Sequence, residues 1–306
     1  MGKVDITEKT LLDYNDVFAD IVNVLLFNGT RFVSEKELGP TGTRSQYKAD
    51  SAEIHEQERD VSKLFSREGV ILSLIGIENQ VRQERFMPVR VISYDGQSYR
   101  TQLLKKHVKR VYPVVTIVLY FGMTHWKHGR HLSEVIDIQD DIRPFISDYE
   151  MKNLYEIAFL SPEQVKMFRS DFRYVADYFV QKRMNQNYKP SPDTIRHVDA
   201  VLKLMSVLTG DDRFRKAAKS HPAKKGAKSM EAILDRMIAE GEARGERRGE
   251  KRGEKRGEKR GVVRYCIEKQ KMTPKEISAE LELSEDEVNR IIAEIKNEKK
   301  SKKRRH

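Results

Sequence analysis

The chain has 306 residues, with 58 Lys+Arg against 47 Asp+Glu and a single cysteine, Cys266. One cysteine excludes a disulfide framework and any multi-cysteine metal site. No apolar run approaches the roughly 18 residues of a membrane span, and no basic-then-apolar leader with a small-residue cleavage site is present. A cytoplasmic setting with no membrane partner is therefore expected, and the net charge of +11 suggests a polyanionic partner. In chain order, Val17, Phe18, Ile21, Val22, Val24 and Leu25 recur at helical spacing, which predicts a helix from about Tyr14 to Phe27 stopped by Asn28-Gly29. Residues 34–57 are polar and weakly patterned, with room for one short strand. Arg59 to Phe65 reads as a strand, Ser66 to Gly69 as a turn, and Val70 to Ile77 as a strand covered on both faces. A helix is predicted over about Val89–Val108. The β-branched and aromatic run Tyr112–Phe121 then gives another buried strand, ended by Gly122, with Pro113 near its start where a missing donor is tolerated.

Helix, strands, helix, strand is an α/β arrangement around a central sheet. Residues 146–218 read as a helical extension. Ser161-Pro162-Glu163-Gln164 carries an N-cap, a first-turn proline and a capping-box glutamine. Ser191-Pro192 predicts the start of a further helix ended by Gly210. Val165, Phe168, Phe172, Val175, Ala176 and Phe179 form an apolar stripe, read as core packing. Residues 219–262 are a charged segment in which glycine recurs every four residues from Gly241 to Gly261, predicted as a marginal helix or a solvated linker. Residues 263–306 read as a small helix-turn-helix-like module with a basic tail.

The residues that could carry chemistry lie at the strand ends. Asp60 opens one strand, and Glu78 and Gln80 close the next; with period two they share a face, and Asn79 points to the other. Asp60 beside Glu78 in a hairpin supplies two carboxylates, which together with a main-chain carbonyl suit Mg²⁺ (or Mn²⁺). Such an ion can activate water and stabilise charge developing on phosphate. The competing explanation is that the strand simply becomes polar as it reaches solvent.

The ordered series Arg59-Asp60-Val61, then Ile75-Gly76-Ile77-Glu78-Asn79-Gln80, then Arg90, Tyr94, Tyr99 and Gln102, then Tyr112-Pro113-Val114-Val115, resembles the PD-(D/E)XK nuclease superfamily. More closely, it resembles the bacterial recombination-promoting nuclease / putative transposase family. Asp16 to Asn23 resembles that family's opening helix, and Ser170-Asp171-Phe172 with Val175-Ala176-Asp177-Tyr178 fits one of its branches. The resemblance covers roughly residues 10–190. It implies a restriction-endonuclease-like core over residues 1–145: a central mixed β-sheet flanked by helices. It implies that Asp60 and Glu78 bind the metal with the Asn79 carbonyl, that Gln80 occupies the superfamily's lysine position, and that Asp60, Glu78 and Gln80 form the catalytic set. Gln is neutral, so it can orient an attacking water only by hydrogen bonds. Asp20 could add a carboxylate from the first helix or lie on a solvated face. Arg90 suits phosphate recognition or an ion pair with a site carboxylate. Tyr94 reads mainly as helix packing, and Gln102 completes the accessory set.

The implied activity is a divalent-metal-dependent DNA endonuclease leaving 5′-phosphate and 3′-hydroxyl ends, tied to recombination or mobile elements. The alternative is a catalytically inactive DNA-binding protein or helix-turn-helix-type regulator. DNA is the expected partner, and a homodimer is the other option for assembly. Two features argue for no chemistry: His125, His128 and His131 fall in a hydrophilic stretch without an adjacent acidic ligand, and Cys266 lacks a placed His or Asp partner.

In the tail, Thr273-Pro274 opens a short helix, Leu281 to Ser284 a turn, and Glu285–Ile292 a second helix. A recognition helix should offer donors to bases at its start; this one offers Glu285, Asp286 and Glu287, which phosphates repel. Lys299, Lys300, Lys302, Lys303, Arg304 and Arg305 form a basic end expected to be disordered and to bind phosphates in a salt-dependent way. Residues 210–306 hold 29 of the Lys+Arg but only 19 of the Asp+Glu, so nearly all the net charge belongs to the tail.

Overall fold

The computed structural model describes residues 10–41, 47–48, 54–55, 60–104, 108–184, 188–220 and 229–303. The chain divides into two compact units, Met1–Leu234 and Asp235–His306.

The first unit is an α/β domain. Helix α1 (Asn15–Phe27) buries Val17, Phe18, Ile21, Val22 and Val24, the stripe expected from their spacing. It stops at Asn28, which adopts the left-handed conformation at φ 49°, followed by Gly29 at φ 83°. The polar stretch after it yields strand β1 (Leu38–Pro40) and a small hairpin of β2 (Tyr47–Lys48) and β3 (Ile54–His55). Strand β4 (Val61–Arg67) turns through Glu68 and Gly69, both at positive φ, into β5 (Val70–Gln80). This is the conformation that a two-residue hairpin loop demands. Arg59, predicted to open the strand, lies outside the described residues.

Helix α2 (Met87–Leu103) is shorter than predicted and carries the chain over to β6 (Val114–Tyr120), which pairs parallel with β5. Helix α3 (Leu132–Val135) is a single turn. A strand absent from the sequence reading, β7 (Asn153–Glu156), then pairs parallel with β6. The five-stranded order is β1-β4-β5-β6-β7, antiparallel as far as β5 and parallel beyond it: the mixed sheet expected of a restriction-endonuclease-like core.

The predicted apolar stripe of residues 165–179 is buried throughout, but on two helices, α4 (Pro162–Met167) and α5 (Phe172–Met184). The break between them has a physical cause: buried Asp20 on α1 accepts the N–H groups of Arg169 and Ser170, both at 2.7 Å. Those donors are therefore satisfied outside a helix. Ser191-Pro192 does not start a helix; α6 (Val198–Thr209) begins later, after Asp171 has taken the N–H groups of Arg196 (3.1 Å) and His197 (2.5 Å). Gly210 ends α6 at φ 68°, and α7 (Asp212–Ser220) follows.

Helix α8 (Met230–Glu268) contains the whole glycine repeat. Glu to Lys/Arg pairs at helical spacing offset the cost of glycine. In Asp235–His306, the end of α8 joins α9 (Pro274–Glu280) and α10 (Glu285–Lys303) around Val263, Cys266, Ile277, Val288, Ile291 and Ile295. The predicted turn at Leu281–Ser284 is present. Its helix pair shares a core with α8, and Cys266 is a buried thiol in that core. Lys259 on α8 pairs with Glu287 on α10 at 2.7 Å, and Arg256 pairs with Glu294. Helix α10 runs far past Ile292, so Lys299, Lys300, Lys302 and Lys303 lie in its last turns and not in a disordered tail; Arg304 and Arg305 lie outside the described residues.

A Cβ added at Gly249, Gly253 or Gly257 meets open space. Replacing these three by alanine is therefore expected to stabilise α8 by up to about 1 kcal/mol per site. The check is a rise in helical circular dichroism and its thermal midpoint in the full chain.

Candidate active site

Strands β5, β6 and β7 run parallel and end together: Gln80 pairs with Tyr120, and Tyr120 with Glu156. In open α/β sheets, ligands collect outside the carboxyl ends of such strands. Glu78 sits at this edge, but in the interior of the fold, at 3% exposure. The strand does not become polar there by reaching solvent, which removes the simple explanation for Glu78.

Helix α2 covers this face of the sheet. Met87, Val91 and Tyr94 are among its buried positions, and Met87 and Val91 pack with Val118, Tyr120, Met151 and Leu154. Arg90 and Tyr94, four residues apart, consequently both face Glu78. Arg90 Nη2 donates to Glu78 Oε1 at 2.5 Å and to the Tyr94 hydroxyl at 3.0 Å; Tyr94 lies 3.4 Å from Glu78 Oε1, as does Gln80 Nε2. On the neighbouring strand Val61 pairs with Ile77, so Asp60 falls opposite Glu78. Asp60 is exposed and is aimed by Asn79, whose backbone N–H (2.7 Å) and side-chain amide (2.9 Å) both donate to its Oδ2.

Glu78 Oε2 is buried and has no hydrogen-bond partner among the described residues. A buried carboxylate oxygen without a partner costs several kcal/mol if charged. Burial, followed by the nearby Asp60 charge, pushes Glu78 up to about 7, outweighing Arg90. A hard cation placed between Asp60 and Glu78 would satisfy that oxygen and neutralise the like-charge pair. Among the described residues no group of three or more His, Cys, Asp or Glu side chains forms a ready-made metal cage. Two carboxylates and a main-chain carbonyl would suit an ion that retains several waters, such as Mg²⁺.

Of the predicted residues, the structure brings together Asp60, Glu78, Asn79, Gln80, Arg90 and Tyr94. Asp20 shares none of their partners: its Oδ1 pairs with Arg31 at 2.8 Å, and its Oδ2 holds the α4–α5 connection. Asp20→Ala is expected to cost about 3 kcal/mol in a denaturant titration, because it leaves two N–H donors unpaired and Arg31 without its partner. Gln102 lies at the other end of α2, where its amide clamps both the N–H and the C=O of Tyr112 ahead of β6. The three histidines have separate partners: His125 pairs with Glu156 at 2.9 Å, His131 with Glu134 at 3.4 Å, and His128 lies edge-on to Trp126.

Gln83 was missed by the sequence reading. Its amide donates to His125 O at 2.9 Å and Thr124 Oγ1 at 3.3 Å, and its carbonyl accepts from Lys127 N at 2.9 Å. It ties the loop after β5 to the loop after β6. Gly122 permits that second loop, because the Tyr120 ring folds over it within 2.0 Å of where a Cβ would stand.

No helix among the described residues is long and apolar enough to cross a membrane. No curated protein and no solved structure matches the chain. A family model does: it is described as "Putative transposase, YhgA-like" and matches residues 62–205. The matched segment contains Glu78, Gln80, Arg90 and Tyr94 and begins two residues after Asp60.

Proposed function

We propose, from the match of residues 62–205 to the YhgA-like putative transposase family model together with the site geometry, that this chain is a divalent-metal-dependent DNA endonuclease acting in recombination or mobile-element biology. The observation that carries this reading is the buried Glu78 carboxylate, whose Oε2 has no partner among the described residues, opposite Asp60 at the carboxyl edge of the sheet. Asp60 and Glu78, with the Asn79 main-chain carbonyl, would hold Mg²⁺ or Mn²⁺. The ion would supply Lewis-acid stabilisation of charge on a phosphodiester and a more acidic water. Arg90 holds the Glu78 carboxylate in place, and its fork can share a phosphate oxygen on the exposed side. Gln80 orients a water by hydrogen bonding and cannot accept its proton.

The test is plasmid cleavage by the full chain with Mg²⁺ or Mn²⁺ at pH 8. Nicking by wild type and its loss in Asp60→Ala are expected. Equal residual cutting by the two proteins would assign the activity to a contaminant. DNA binding without any cutting would favour the non-catalytic alternative.

A further inference from the structure

The first 209 residues are close to electroneutral, with 29 Lys+Arg and 28 Asp+Glu, so composition gives this lobe no claim on a polyanion. The edge around Glu78 distributes its charges unevenly. Two loops leave the sheet there, residues 81–86 after β5 and residues 121–131 after β6, and Gln83 binds them into one surface. Three carboxylates of this region are engaged by backbone N–H groups. Glu84 accepts from Phe86 N at 3.1 Å, and Glu134 from Arg130 N and His131 N at 2.7 and 2.8 Å; Glu156 accepts from Trp126 N. The cations are left outward. Arg82, Arg85, Lys127 and Arg130 are all exposed, and none forms an ion pair among the described residues. Arg85 lies over the exposed Phe86 ring, 5.2 Å from its centroid.

We propose that these two loops form a phosphate-binding platform for duplex DNA, with Arg82 and Arg85 on one loop, Lys127 and Arg130 on the other, and Gln83 holding them in register. Four exposed cations, with the neighbouring Glu84, Glu134 and Glu156 engaged by backbone N–H groups, give a locally positive rim beside the Asp60 and Glu78 carboxylates. Such a rim attracts the DNA backbone that Asp60 and Glu78 alone would repel. Phosphate contacts set position and carry no sequence information, so the platform fixes which bond lies over Glu78 without selecting bases. The inference rests on the nuclease reading for its partner, but it concerns binding and is measured separately from cleavage.

The experiment is fluorescence anisotropy of a labelled DNA duplex with the full chain, with Ca²⁺ replacing Mg²⁺, across 50 to 300 mM salt. Wild type is compared with the four-site variant Arg82→Ala, Arg85→Ala, Lys127→Ala, Arg130→Ala. Because all four side chains are exposed, their melting curves should coincide. The variant is expected to bind at least about tenfold more weakly at 100 mM salt. The slope of log affinity against log salt should also flatten by about 3 to 4, near 0.9 per lost phosphate contact.

If wild type binds and the slopes differ but no DNA is cut in Mg²⁺ or Mn²⁺, the platform stands and the nuclease reading falls. If wild type cuts yet the slopes coincide, the platform is overturned and the nuclease reading survives, with binding supplied by other cations such as those of α8 and α10. Failure of wild type to bind the duplex, or a clear preference for RNA of equal length, overturns the platform as stated.

Discussion

Asp60→Ala is expected to lower plasmid cleavage in Mg²⁺ by about a thousandfold or more, and Glu78→Gln by a similar factor. On the proposed reading, removing one of two anionic ligands would take away several kcal/mol of stabilisation of charge on phosphate, and each 1.36 kcal/mol is about tenfold in rate. Gln80→Ala should cost far less, about tenfold to a hundredfold, because in the proposed mechanism a neutral amide would only position a water and transfer no proton. Gln80 also sits only 3.4 Å from Glu78 Oε1, so its loss leaves the carboxylate pair in place. The three variants separate ligand from orienting residue by initial rates at saturating metal. Equal losses at all three positions would contradict this division of labour.

These residues were legible in the sequence because period-two alternation places Glu78 and Gln80 on one face, and because their series with Arg90 and Tyr94 resembles a known family. Their depth was not legible. Glu78 is buried because α2 lies across the sheet, and the helix contact is long-range. Strand β7 escaped notice because Asn153–Glu156 is four residues long, too short for a periodic signal, and gains its place from pairing with β6. Ser191-Pro192 has the local chemistry of a helix start, yet tertiary hydrogen bonds from Asp171 delay α6 to Val198. Gln83 and Glu156 are invisible to pattern reading for the same reason: what matters is which backbone groups they meet, and those groups lie on other segments. The charge arithmetic assigned the positive balance to the tail, whereas near-neutrality of the first lobe conceals a polarised edge.

The second large effect is on stability, and its sign follows from Glu78. Its folded-state pKa, about 7, lies above the ordinary glutamate value of 4.5, with burial as the first cause and Asp60 as the second. Below pH 4.5 the carboxyl is protonated in both folded and unfolded chains and contributes no difference. Between 4.5 and 7 the unfolded chain releases the proton while the folded chain keeps it, so stability falls as pH rises. Above 7 both states are ionised and the loss is complete, about 3 kcal/mol for a shift of this size. Glu78→Gln should abolish this component. The variant's stability relative to wild type should therefore rise by about 3 kcal/mol between pH 4 and pH 8 in metal-free denaturant titrations. Comparing the two proteins at each pH cancels carboxylates shifted the other way, such as Glu37 beside Arg67 and Asp211 beside Arg213. Arg90 does not reverse the outcome, because its side chain is 37% exposed and can return to water when Glu78 is replaced. Added Mg²⁺ should stabilise wild type more at pH 8 than at pH 6, since it binds the ionised carboxylate, and should leave Glu78→Gln nearly unchanged. Parallel pH curves for the two proteins would show that Glu78 ionises normally. Glu78 Oε2, opposite Asp60, would then be solvated, and it would no longer argue for a cation at that edge.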